Sequence, residues 1–171
     1  MTLSRHHLLL ALLVLTAAQI GWFEPRLPDQ VVSNFDYDGS ANGWSSKGAF
    51  LGGFTIMMAC TLVLFYVLSW TIRRMGGKGI NVPHRDYWLA PERRGKTAAF
   101  VGDQLEIFGL ATYAFLLLTN QLTISANLVD PPELPSAAFW SAFGAYMLGG
   151  FVWTIRLITR FSNKPVDDPE G

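Results

Sequence analysis

Asp103 and Glu106 are the side chains best placed by type and spacing to do chemistry in this 171-residue chain. Three positions apart on a helix, they share one face. Paired carboxylates there can hold a metal ion or serve as an acid and a base, and ionisable groups in a membrane-crossing segment are functional candidates by default. Their place near the start of an apolar block argues otherwise. At headgroup depth they can reach water or pair with Arg93, Arg94 or Lys96. His84 is the one histidine that could join them, and it lies across a proline-containing loop. Asp36 and Asp38 resemble the opening of a calcium loop, but Gly39 follows at once. An EF-hand needs its glycine at the sixth position and a terminal glutamate. Gly76-Gly77-Lys78-Gly79 is too short for a phosphate loop of the Gly-x-x-x-x-Gly-Lys-Ser/Thr kind. The single cysteine, Cys60, excludes an intramolecular disulfide and a Cys-rich metal site; it reads as a small buried hydrophobe. Lacking a nucleophile–base pair or a metal ligand set, the chain is expected to be no enzyme and to hold no cofactor or metal. The alternative is a membrane enzyme or transporter using Asp103 and Glu106.

The elements that must carry these residues are apolar. Half of the residues are hydrophobic and 15% are charged, against roughly 25% in soluble domains. A net charge of zero gives no support for a nucleic-acid partner. The apolar residues fall into four blocks, near 8–23, 49–72, 104–124 and 137–158, each close to the roughly 20 residues a helix needs to cross a bilayer. The first follows Arg5, His6 and His7 and stops at Pro25. It also reads as a cleavable signal segment, with Thr16-Ala17-Ala18 as the small-residue site. The second has no charge between Ala49 and Ile72. In the third, Ile107 to Ile124 is the lipid-crossing part, and Asn120 and Gln121 lie at its interfacial end. The expected fold class is an all-α membrane protein, a single domain of four transmembrane helices. A turn-rich extracytoplasmic cap, residues 24–48, has room for a small β element from Gln30 to Phe35. Asp38-Gly39 and Asn42-Gly43 are its turn signals.

Orientation follows from the basic residues. The connection 73–97 carries Arg73, Arg74, Lys78, Arg85, Arg93, Arg94 and Lys96, and the ends add Arg5, Arg156, Arg160 and Lys164. Only Arg26 and Lys47 fall on the other side, so eleven of the thirteen Lys and Arg residues share one side. The positive-inside rule makes that side, and both termini, cytoplasmic. Within the fourth block, Ala137, Ser141, Ala145 and Gly149 form a small-residue stripe suited to close helix packing inside the four-helix unit. Phe139, Phe143, Tyr146 and Phe151 line the opposing face.

Leu27-Pro28, Val31, Phe35, Gly39, Gly43-Trp44 and Ser46-Lys47 together resemble an uncharacterised bacterial membrane-domain family. That domain also stands at the amino end of the Sdp-type toxin immunity proteins. The resemblance covers roughly the first 70 residues. It departs from the pattern at Asn34, where a histidine is common, and at Val32, where a proline is common. The later part of the immunity proteins is not recognisable, so their activity does not carry over. What the resemblance implies is a bacterial inner-membrane location. The run Tyr87-Trp88-Leu89-Ala90-Pro91-Glu92-Arg93-Arg94 is similar to a segment before the third span in longer members of the group. Tyr87, Trp88, Arg93 and Arg94 read as a membrane-surface anchor, with Pro91 at the first turn of the next helix and anionic lipid attracting the cations. The partners expected are the lipid bilayer and a protein partner at the outer cap or the cytoplasmic loop. The expected role is binding, sensing or accessory.

Overall fold

The computed structural model describes residues 5–163, and Lys164 lies outside the described residues. In chain order, the elements are α1 (Arg5–Phe23), a 3-10 turn (Glu24–Arg26), β1 (Gln30–Phe35), β2 (Ala41–Ser46), α2 (Lys47–Arg74), α3 (Arg85–Trp88), α4 (Arg94–Ala126) and α5 (Ser136–Ser162). Among the described residues, four helices are long and apolar enough to cross a membrane. One small antiparallel sheet, β1 with β2, accompanies them.

Helix ends follow local chemistry. Ser46 Oγ accepts the Ala49 N–H at 3.2 Å and so caps the start of α2. At the other end Gly76, with φ of +56°, takes the left-handed turn that closes the helix. Its N–H bonds Arg73 O, and the Gly77 N–H bonds Ile72 O, the paired arrangement that satisfies terminal carbonyls. The third apolar helix begins at Arg94, ten residues before the expected span, because Ala90 O already accepts the Arg94 N–H behind Pro91.

Contacts divide the chain into two compact units, residues 1–63 with 109–146 and residues 64–108 with 147–171. In the first unit, two apolar clusters form the core. Leu12, Phe54, Met58 and Tyr113 make one; Leu27, Val31, Leu51 and Ile124 make the other. A polar seam joins α1 to α4 beside them. Thr16 Oγ1 and Tyr113 OH lie 2.8 Å apart, and Thr16 also donates to Leu12 O. Asn120 Nδ2 donates to Gln19 Oε1 at 2.7 Å, while Gln19 Nε2 donates to Gln121 Oε1 at 3.0 Å. Asn120 is therefore buried against α1. A polar group on an apolar helix finds a partner on the neighbouring helix when water is scarce.

Two further expectations are corrected. Ala137, Ser141, Ala145 and Gly149 are all exposed; α5 turns its half-buried face, with Phe139, Ala142 and Tyr146, toward its neighbours. Tyr146 stacks on Phe115 at 4.5 Å and its hydroxyl meets Thr112 Oγ1 at 2.8 Å. Ring stacking plus a hydrogen bond outweighs the close backbone approach offered by the small stripe. Cys60 is exposed on α2 and not the buried hydrophobe expected.

Candidate functional site

In the second unit the carboxylates singled out by the sequence meet an unexpected partner. Arg73, in the last turn of α2, lies 2.7 Å from Asp103 Oδ1 and 2.8 Å from Glu106 Oε1. Ser69, fully buried, donates to the same Glu106 oxygen at 2.8 Å. Neutralisation thus comes in part from α2, through a cation that the sequence did not single out. Gly102 makes room for it, since a Cβ there would stand 2.6 Å from Arg73 Nε and 3.1 Å from Ser69 Oγ. A guanidinium shared by two carboxylates is a strong cross-link. It leaves acid–base work conditional on breaking ion pairs. Among the described residues no group of three His, Cys, Asp or Glu side chains could hold a metal ion.

The elbow before α4 is tied to the end of α5 within the same unit. His84 adopts φ of +52°, and its Nε2 donates to Ser162 O at 3.1 Å. Trp88 Nε1 donates to Phe161 O at 2.9 Å. These two bonds satisfy terminal carbonyls that a helix leaves unpaired. Thr97 Oγ1 bonds Trp88 O at 2.8 Å and ties α3 to α4. The Arg93 guanidinium lies 4.0 Å over the Tyr87 ring. Of the four anchor residues, the structure therefore brings Tyr87 and Arg93 together and turns Trp88 toward α5. Arg94 lines a different cavity, with Gly76, Gly77 and Lys78.

In the first unit, the residues carrying the family resemblance prove to build the hairpin. β1 has the bounds expected from sequence, Gln30–Phe35, and pairs Val31 with Ser45, Val32 with Trp44 and Phe35 with Ala41. Leu27 and Val31 are buried in the core. Gly39, with φ of +96°, turns the chain; a Cβ there would collide with the Leu134 carbonyl, whose N–H bonds Gly39 O at 2.9 Å. Gly43 lies in β2 and not in a turn, because Asn34 folds over it and leaves no space for a side chain. Lys47 Nζ sits 3.8 Å from both Glu24 and Asp29, holding the hairpin base closed. Tyr37 and Trp44 are exposed, at 82% and 58%. Pro28 is exposed and Phe35 half-buried.

Asp36 and Asp38 are occupied within the hairpin. Asn42 Nδ2 donates to Asp36 at 2.6 Å. The Ser40 backbone N–H and hydroxyl both donate to Asp38 Oδ1, at 3.0 and 2.7 Å. Ser40's N–H, and then its hydroxyl, hold the Asp38 carboxyl below the usual carboxylate range. A depressed folded pKa contributes stability above the unfolded value of 3.8, and that contribution is lost as pH falls through the folded value. Asp38→Asn is therefore expected to lower the melting midpoint at pH 7, with the gap to wild type closing in strong acid. A gap that persisted at the lowest pH would count against the carboxylate's role.

Residues 11–59 match a domain of unknown function, DUF1648. The DUF1648 match runs from α1 through the hairpin into α2, wholly inside the first unit. No curated protein and no solved structure matches the chain.

Sequence reasoning missed several members of these sites. Arg73 read as one more cation at a helix end, and Ser69 and Gly102 carried no signal alone. Thr16 and Gln19 were visible as polar residues one helical turn apart in an apolar block, a pattern that points to a partner helix. Asn127 was not singled out at all. Its Oδ1 accepts the Val32 N–H at 2.6 Å, and its Nδ2 donates to Val32 O and Thr123 O, both at 2.9 Å.

Proposed function

We propose that this chain is a non-enzymatic, multi-pass protein of a bacterial cytoplasmic membrane that binds a protein partner through its hairpin cap. Both termini and the basic 73–97 connection would be cytoplasmic, and the hairpin would stand outside. The observation that carries the reading is the contrast between the carboxylates and the hairpin. Asp103 and Glu106 are tied up by Arg73, while Tyr37 and Trp44 present large aromatic surfaces on a hairpin whose backbone is already paired. Aromatic side chains of this kind dominate binding energy at protein interfaces. An enzyme or transporter using Asp103 and Glu106 would first have to release them from Arg73.

Mild-detergent purification from the native host tests the proposal. A stoichiometric protein partner is expected with wild type and with Asp103→Asn/Glu106→Gln. It should be lost with Tyr37→Ala/Trp44→Ala while the melting midpoint holds. Recovery of the chain alone, or loss of the partner only in the carboxylate variant, would sink the reading. Orientation has its own test in a Cys60→Ser background. Asp38→Cys should react with a membrane-impermeant maleimide in intact cells, and Lys78→Cys only after lysis.

A further inference from the structure

In the second unit, α3, the start of α4 and the end of α5 enclose a cavity of about 300 Å³. Three cations line it, Arg93, Lys96 and Arg160, and no carboxylate stands among the described lining residues. Aromatic rings form the rest of the wall. Trp88 meets Phe161 edge-on at 5.4 Å, and Phe100 meets the same ring at 6.0 Å. The rings also hold the guanidinium groups in place. Arg160 lies 4.0 Å over Phe100, and Arg93 lies 4.0 Å over Tyr87. Stacked over Phe100, Arg160 keeps its N–H edge available for an oxyanion.

Two features remove what would oppose an anion here. The end of α5 carries the negative pole of its helix, but Trp88 and His84 already engage its last carbonyls, Phe161 O and Ser162 O. The wall itself is set by the Thr97–Trp88 bond rather than by the ligand. Holding Lys96 and Arg160 at one cavity costs Coulomb energy that a multiply bonded oxyanion offsets, and an arginine fork matches phosphate geometry.

We propose that this cavity binds the phosphate of an anionic phospholipid headgroup. Both helices that supply its cations are long and apolar enough to cross a membrane. Lys96 lies in the first turn of α4 and Arg160 in the last turn of α5, helix ends that would meet lipid phosphates when the helices span a bilayer. The aromatic wall suits the glycerol and first methylenes of a lipid better than a soluble phosphate ester. This inference is independent of the hairpin reading, since no hairpin residue takes part.

The experiment is native mass spectrometry of the full chain released from vesicles of mixed phosphatidylglycerol and phosphatidylcholine. Wild type should retain one phosphatidylglycerol in preference to phosphatidylcholine. Lys96→Gln/Arg160→Gln should weaken retention about fivefold for each cation removed, with Arg160→Lys recovering part of it. Lys78→Gln/Arg85→Gln carries the same charge loss around the neighbouring cavity and should retain lipid as wild type does. Equal loss in both double variants would reduce the effect to diffuse surface charge and overturn the site. Displacement of the lipid by millimolar inorganic phosphate or glycerol phosphate would assign the cavity to a soluble phosphate compound and overturn the lipid assignment. If Lys96→Gln/Arg160→Gln changed the melting midpoint, the Arg160→Lys variant would carry the comparison.

Discussion

Arg73→Met is expected to destabilise the protein by about 2–4 kcal/mol, between the limits for an exposed ion pair and a buried one. The reason is arithmetic of charge rather than of contacts. Arg73 faces both Asp103 and Glu106 at ion-pair distance, so its removal takes a shared cation away from two carboxylates on one helix face. All three groups are partly exposed, at 39%, 39% and 27% of their side chains, which keeps the value below that of a fully buried triad. The triple variant Arg73→Met/Asp103→Asn/Glu106→Gln should recover most of the loss, because the two negative charges that faced Arg73 are removed with it. Reversible unfolding in mixed micelles measures both. A triple variant as unstable as Arg73→Met would mean that packing of the arginine stem, not charge, holds α2 to α4. The alternative catalytic reading makes the opposite demand, since a working acid–base pair would be freed, not crippled, by losing its arginine.

Asn127→Leu should cost about 3 kcal/mol, close to the sum for the buried backbone groups it leaves unpaired. Val32 is fully buried, and its N–H and C=O both bond the Asn127 amide. The third bond, to Thr123 O, stays within the end of α4. A single amide therefore mimics a β-ladder partner for β1 and joins the hairpin to α4. Asn127→Asp keeps the acceptor for Val32 N–H but loses both donors, so it should fall between wild type and Asn127→Leu. Amide hydrogen exchange at Val32 gives a second readout: protection should drop sharply in Asn127→Leu and persist in Asn127→Asp. Equal protection in all three proteins would remove the clamp. A proline at position 32 would have no N–H to give, so the Asn127 clamp requires some other residue there.

Local chemistry made much of this legible in advance. Charge-free runs of sufficient length mark membrane-crossing helices wherever water is excluded, because backbone groups must bond within the helix. A short β-like run made Gln30–Phe35 readable as a strand, and Asp38-Gly39 was readable as a turn, since only a glycine accepts the backbone angle there without strain. Such features depend on neighbours in sequence and need no partner. What only the tertiary structure decided is who faces whom. Asp103 and Glu106 were evident as a pair, but the cation they use lies some thirty residues earlier, on α2, and reaches them because Gly102 leaves room. Ala137, Ser141, Ala145 and Gly149 had the spacing of a packing face, yet stacking of Tyr146 on Phe115 turns α5 the other way. Spacing fixes which residues of one helix share a face. Which face is used depends on ring and hydrogen-bond partners on another helix, and that information is not local.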